Sequence, residues 1–386
     1  MPKSWQKRFK GWKMKVPEHI NWPDSLDNQR FLAEYWQKKP LLIRQAFAGF
    51  ETPVSPDELA GMSLEEDTTP RLITQDATGE YRIENGPFDE ARFSALDANN
   101  WSLLVTDVEK HFPELADYLT PFQFIPSWRI DDLMISYAPD SASVGAHVDE
   151  YDVFLLQASG TRKWMIDASE QPDLQLVPDA TLKLLANFQA SDTYLLEPGD
   201  MLYLPPGMPH HGVAVGDDCT TWSVGFRAPI LSEVINYFSE MAASQFEQQR
   251  YTDPVLNISP PGEINAQTLA SFKTLWEKAT NLSDAQLATM TGCLLTTSPM
   301  DIEREEYDLG QAHEHKWIKH PFSRFAYTDI NNDQAELFAD GEVITCSLEL
   351  AMAVCNKQAV SLKDSDELDA NALASLIEAG CLIPEN

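Results

Sequence analysis

His147 and Asp149 stand one residue apart in Gly145-Ala146-His147-Val148-Asp149, and another histidine follows in Pro205-Pro206-Gly207-Met208-Pro209-His210. Side chains of an extended segment alternate, so His147 and Asp149 project to the same side. A histidine on a later strand, His210, then completes one face of an octahedron. Two imidazoles and one carboxylate, with three positions left open, suit Fe(II) that must bind a cosubstrate and oxygen together. An isolated His-x-Asp is more often a surface turn, and it is the pairing with His210 that gives this one weight. His211 is a rival ligand, although on a strand its side chain points away from that of His210.

A second group bears on the cosubstrate. An iron oxygenase that uses 2-oxoglutarate must hold the distal carboxylate of that molecule while its keto acid end chelates the metal. A guanidinium does this bidentately. Arg162 follows Gln157-Ala158-Ser159-Gly160 and is the candidate, with Lys163 as its rival. Ser136 and Ser223 lie within otherwise apolar or aromatic strands, where a hydroxyl adds a hydrogen bond to the cosubstrate or simply satisfies its surroundings. Asp131, Asp132, Asp152, Tyr137 and Tyr151 are candidates for contacting a cationic substrate, or equally for strand pairing and buried polar networks.

Many short strands position these residues. Segments over Trp128–Tyr137, Val153–Gln157, Lys163–Ile166, Tyr194–Leu196, Met201–Leu204 and Thr220–Phe226 are each bounded by Gly, Pro, Asp or Ser. Antiparallel strands on both sides of a ligand pair imply a mainly β catalytic core, a double-stranded β-helix of the cupin or jelly-roll kind. Before it, a helix is expected over Leu26–Tyr35, a strand at Leu41–Arg44, a helix capped by Ser55 with Pro56 in its first turn, and short strands at about 70–85. Beyond Pro229 the period becomes helical. Ile230, Val234, Ile235, Phe238, Met241 and Phe246 form a stripe broad enough to bury against other helices, including those of a second subunit. Helices over Leu269–Lys278 and Asp284–Thr291 follow. From about 310, Asn331-Asn332 between apolar runs signals a hairpin, and helices near Leu348–Val354 and Asn371–Glu378 complete a small α+β pattern resembling a winged helix. The expected division is a basic extension at 1–25, the catalytic domain at 26–228, a helical dimerisation region at 229–308 and a winged-helix-like domain at 309–386.

Composition excludes several functions. The chain of 386 residues carries a net charge of -32, which disfavours nucleic acid and favours a basic polypeptide partner. Residues 301–386 hold 18 Asp and Glu against 6 Lys and Arg, a net of -12, so the winged-helix-like region is not expected to bind nucleic acid directly. No apolar run reaches the roughly 18 residues of a membrane span. Five scattered cysteines without CxxC spacing fit reduced thiols in a cytoplasmic protein. Lysines and arginines crowd the first fifteen residues between Trp5, Phe9 and Trp12, as a partner-binding arm or a solvated tail.

Taken in order, these motifs resemble a JmjC-type 2-oxoglutarate oxygenase. The runs Trp128-Arg129-Ile130-Asp131-Asp132-Leu133-Met134-Ile135-Ser136, His147-Val148-Asp149-Glu150-Tyr151-Asp152-Val153-Phe154 and Ser223-Val224-Gly225-Phe226-Arg227-Ala228-Pro229, with the Pro-Pro-Gly-Met-Pro-His turn, are the specific ones. They are similar to the bacterial ribosomal oxygenases that hydroxylate an arginine of large-subunit ribosomal protein L-sixteen, and the resemblance runs from about Leu26 onward. It implies iron ligands His147, Asp149 and His210, Fe(II) with 2-oxoglutarate and O2 as cosubstrates, and a 2-oxoglutarate clamp at Arg162. It further implies a basic ribosomal protein as substrate and a homodimer. Demethylation of a methylated Lys or Arg, hydroxylation of another basic protein, and a non-enzymatic metal-binding cupin stay open as alternatives.

Overall fold

Alternating apolar and small polar residues make two long strands, β7 (Asp152–Ile166) and β10 (Pro209–Phe226), which pair antiparallel along most of their lengths. Each was expected as shorter pieces broken at Gly160 and before Thr220. In the computed structural model both run on, because the break is a bulge rather than a turn. Opposite Gly160, β10 carries the additional residues Gly216 to Cys219. Gly160 has φ of +59°, and a Cβ there would lie 1.9 Å from the Asp218 carbonyl oxygen, so only glycine allows the strands to approach. The structure describes residues 16–385 except 247, 254–259, 298–303, 306, 308 and 311, so the basic segment of the first fifteen residues lies outside it.

The bulge divides the strands between two faces. On one side of it, β8 (Asp192–Leu196), β7, β10 and β6 (His147–Val148) lie in order. On the other, β1 (Leu41–Ile43), β9 (Met201–Leu204), β7, β10, β5 (Ile130–Ala138), β4 (Trp101–Thr106), β2 (Thr69–Gln75) and β3 (Tyr81–Asn85) follow one another. All pairings are antiparallel. This folded-over sheet is the cupin jelly roll.

Period-two alternation gives the wider face two sides. Leu133, Ile135, Phe154, Trp222, Val224 and Phe226 point outward into an aromatic-rich core with Phe31, Phe122 and Tyr203. That core is closed by α1 (Asn28–Glu34), capped by Asp27, and by α2 (Pro56–Met62), whose Ser55 and Glu58 form a reciprocal capping box; the short helices α3 (Glu90–Ser94) and α4 (Val108–His111) follow in the chain. Their neighbours on the same strands point inward and line a cavity.

A second compact unit begins at Pro229. It contains α5 (Leu231–Gln245), α6 (Ala266–Thr280) and α7 (Asp284–Thr296), then a three-stranded sheet of β12 (Phe325–Asp329), β13 (Gln334–Ala339) and β14 (Glu342–Ser347). The helices α8 (Leu348–Cys355) and α9 (Glu367–Glu378) and the pair β11 (Trp317–Lys319) with β15 (Leu382–Pro384) close its core. Within it α7 lies close upon the sheet at Gly292, where a Cβ would meet the Phe338 ring at 2.3 Å. Among the described residues no helix is long and apolar enough to cross a membrane.

Candidate active site

Strand β6 and the start of β10 are paired in register, with His147 directly opposite His210. Their ring centroids lie 4.2 Å apart. Asp149 follows β6 and is held by its backbone, because Gly207 N–H of the Pro205–Gly207 turn donates to the Asp149 carbonyl at 2.8 Å. One donor atom from each of His147, Asp149 and His210 lies within 4.8 Å of the others. His147 Nε2 is 3.9 Å and His210 Nε2 3.6 Å from the Asp149 carboxylate.

The protonation pattern suits a cation. His147 Nδ1 lies 3.0 Å from the Gly145 carbonyl and His210 Nδ1 2.9 Å from that of Met208. A carbonyl only accepts, so each Nδ1 carries the proton and each Nε2 lone pair faces the carboxylate. Burial, then the neighbouring His147, holds His210 down to about 3, which keeps it neutral. Burial pushes the Asp149 carboxyl above the usual range against the pull of His147 and the Tyr151 hydroxyl that hydrogen-bonds to it. Two imidazole Nε2 atoms facing one carboxylate thus fit a divalent metal. His211 points away, as expected, and its Nε2 bonds Ser143 Oγ at 2.9 Å.

The cavity between the two faces holds about 400 Å³. Arg162 reaches into it from β7 and is 2% exposed. Its guanidinium lies over the Trp164 ring and donates to Thr221 Oγ1 at 3.3 Å, and no described carboxylate pairs with it. Burial lowers its pKa, and its Nε is left without a partner. A buried cation of this kind is costly unless an anion joins it. Lys163 is exposed on the opposite side of the strand, so of these two neighbours it is Arg162 that enters the cavity. Gly212 makes room for it, since a Cβ there would stand 2.6 Å from the Trp164 ring and 2.7 Å from Arg162 Nε.

The other expected residues separate by parity. Ser136 and Ser223 face the cavity, the Ser136 hydroxyl donating to the Thr221 carbonyl at 3.3 Å. Asp131, Asp132 and Tyr151 also line it. Burial, followed by the charges of Asp107 and Asp131, pushes Asp132 up to about 7, with Lys110 and Arg71 pulling the other way.

Tyr137 and Asp152 do not join them, which corrects their assignment as substrate contacts. Tyr137 alternates with Ser136 and turns outward, its hydroxyl donating to the Asp217 carbonyl at 2.7 Å. Asp152 alternates with Tyr151 and Val153 and is wholly buried behind the sheet. There it accepts from Tyr203 at 2.6 Å, and from Gln37 and Arg129 at 3.1 Å each. The sequence reading missed Arg71, Met134, Trp164 and Thr221 in the cavity wall, where Arg71 Nη2 lies 3.5 Å from Met134 Sδ. Position parity on β5, β7 and β10 was the available signal for the last three.

Fold and site together define a metal-binding cupin of the JmjC type, with a metal triad at one end of the cavity and an unpaired arginine in its wall. Comparison with known proteins agrees. The JmjC domain family model matches residues 117–234, and an AraC-like ligand binding domain model matches residues 189–290. The ribosomal protein uL16 3-hydroxylase of Escherichia coli (strain K12) is 39% identical over 236 residues, 61% of this chain and 60% of that protein. A probable ribosomal oxygenase of Haemophilus influenzae is 37% identical over 245 residues, 63% of this chain and 57% of that protein. The chain thus spans less than two thirds of the length of these curated relatives in the aligned stretch. Solved structures align more widely. E. coli ycfD superposes with a TM-score of 0.80 at 30% identity, covering 94% of this chain and 99% of that one. A structure of YcfD, a ribosomal oxygenase, in complex with cobalt and 2-oxoglutarate gives 0.78 at 29%, covering 95% and 99%. The chain belongs to the JmjC-type ribosomal oxygenases.

Proposed function

We propose that this protein is an Fe(II)- and 2-oxoglutarate-dependent oxygenase that hydroxylates an arginine side chain of large-subunit ribosomal protein uL16. The observation that carries the reading is the pairing of the His147–Asp149–His210 donors with a buried guanidinium, Arg162, that has no protein anion. One end of a chelating keto acid belongs at the first and its distal carboxylate at the second. One relative described as a ribosomal protein uL16 3-hydroxylase, and a neighbour with 2-oxoglutarate bound, support the substrate and cosubstrate.

Bound iron with 2-oxoglutarate and O2 supplies the oxidising chemistry, in which the keto acid leaves as succinate and CO2 and one oxygen atom enters a substrate C–H bond. The chain's residues orient the participants. His147 and His210 offer Nε2, while Tyr151 steadies Asp149 through its hydroxyl. Arg162 binds the distal carboxylate, with Trp164 against one face of its guanidinium. Asp131 and Asp132 give the same cavity an acidic wall for a substrate guanidinium, and the Tyr151 ring and Met134 thioether offer apolar surfaces for its methylene stem.

The strong negative charge suits a basic ribosomal protein and repels nucleic acid, so no direct nucleic-acid contact belongs to this reading. A homodimer is also proposed. Neither α5 nor α6 buries a single residue fully, and Leu231, Ile235, Leu269, Phe272 and Trp276 stay exposed. Such a surface fits a second copy.

Matched uL16 peptides with unmodified and methylated arginine, incubated with Fe(II) and 2-oxoglutarate, test the reaction class. Gain of one oxygen on the unmodified peptide, with succinate, is the expected result. Loss of a methyl group alone would favour demethylation, and absence of succinate with either peptide, or with intact ribosomal proteins, would reject both.

A further inference from the structure

Three buried polar side chains converge behind the cavity in a chain of fixed direction. Arg162 Nη1 donates to Thr221 Oγ1 at 3.3 Å, and the Thr221 hydroxyl donates to Gln157 Oε1 at 3.3 Å. Gln157 Nε2 in turn donates to the Ser159 carbonyl at 2.7 Å and approaches Cys219 Sγ at 3.6 Å. Thr221 is 1% exposed and Gln157 is fully buried. The Ser159 carbonyl accepts only, so it sets the orientation of the Gln157 amide. The amide oxygen must then face Thr221, and the threonine's one proton goes to it. Thr221 Oγ1 is left as an acceptor, which the guanidinium fills.

This arrangement uses one amino group of Arg162 and spares the other. Nη1 is committed to Thr221, whereas Nε and Nη2 have no hydrogen-bond partner among the described residues. Nε is wholly buried, so Nη2 is the nitrogen left to meet a carboxylate from the cavity. The Trp164 ring lies over the guanidinium, and the missing Cβ of Gly212 provides the space that Nε itself fills.

We infer that Thr221 and Gln157 are positioning residues for the cosubstrate, a polar relay that anchors Nη1 of Arg162 and turns its Nη2 to the distal carboxylate. The inference rests on Arg162 being the carboxylate clamp. Both residues act through Arg162 and neither touches the reacting atoms.

Calorimetric titration of the full-length, Mn(II)-loaded protein with two ligands tests it. 2-Oxoglutarate has a distal carboxylate, and oxalate chelates the metal without one. Thr221→Val is expected to weaken 2-oxoglutarate about tenfold, the worth of one charge-assisted hydrogen bond, while leaving oxalate binding unchanged. Thr221→Ser, which keeps the hydroxyl, is expected to bind both like the wild type, and Gln157→Leu to behave like Thr221→Val. Equal weakening of both ligands in Thr221→Val would overturn the relay in favour of a general loss of packing. So would wild-type 2-oxoglutarate affinity in Thr221→Val alongside lost affinity in Arg162→Ala. Unchanged affinity in Arg162→Ala would instead remove the clamp reading itself, a distinguishable result.

Discussion

Replacing Asp132 by asparagine separates what this residue does for binding from what it costs the fold. Burial, then the charges of Asp107 and Asp131, raises its carboxyl from 3.8 to about 7. The folded state therefore holds the proton more tightly than the unfolded chain. The stability this gives is present below about pH 4 and is lost as pH rises towards 7, with no further change above. The whole shift corresponds to about 4 kcal/mol at 1.36 kcal/mol per unit. Asp132 lines an open cavity where water screens it, so about 2 kcal/mol is the better figure. Asparagine keeps the shape and cannot ionise. At pH 8 the Asp132→Asn protein should melt about 4–8 °C above the wild type. At pH 5 the difference should be smaller, since there the wild type is partly protonated in the fold. Differential scanning calorimetry at the two pH values, without substrate, reads both. Affinity for an arginine-bearing basic peptide should fall in the same variant. A variant that melts below the wild type at pH 8, or by the same difference at both pH values, would refute the reasoning.

Other perturbations follow from the geometry. Gly212→Ala places a methyl within 2.7 Å of Arg162 Nε and the Trp164 ring, and should destabilise by about 1–3 kcal/mol in chemical denaturation while weakening 2-oxoglutarate. Asp152→Ala strips Arg129, Tyr203 and Gln37 of their shared acceptor and should cost about 3 kcal/mol in the same assay, with the 2-oxoglutarate Kd of the folded protein unchanged. Trp276→Glu with Phe272→Glu should shift the protein from dimer to monomer in light scattering, whereas a dimer that persists would show that α6 is not its surface. His147→Ala should abolish both Mn(II) binding by calorimetry and turnover.

How much of this was legible beforehand follows strand parity. His147, Asp149 and His210 were readable because a period-two pair and a second histidine behind a rigid proline turn need little tertiary information. Arg162 was preferred to Lys163 from the resemblance, and the parity of β7 turns Arg162 inward and Lys163 outward. Tyr137 and Asp152 were misplaced, being one residue off the inward parity that Ser136, Tyr151 and Val153 follow. The continuity of β7 and β10 was hidden because Gly160 and Gly216-Asp217-Asp218 look alike in a turn and in a bulge. Gln157 and Thr221 had no local signal. Each is one polar residue in an apolar strand, and their meeting depends on the register of β7 against β10, which pairs Gln157 with Thr221.

The most direct test of the central claim is isotope transfer. The purified protein is given Fe(II), 2-oxoglutarate, intact uL16 and heavy-isotope dioxygen, and the products are read by tandem mass spectrometry. One labelled oxygen is expected on a carbon of an arginine side chain and the other in succinate, both lost in Arg162→Ala at low 2-oxoglutarate. Unlabelled uL16 alongside labelled succinate would contradict the proposed substrate. No succinate at all would contradict the oxygenase itself.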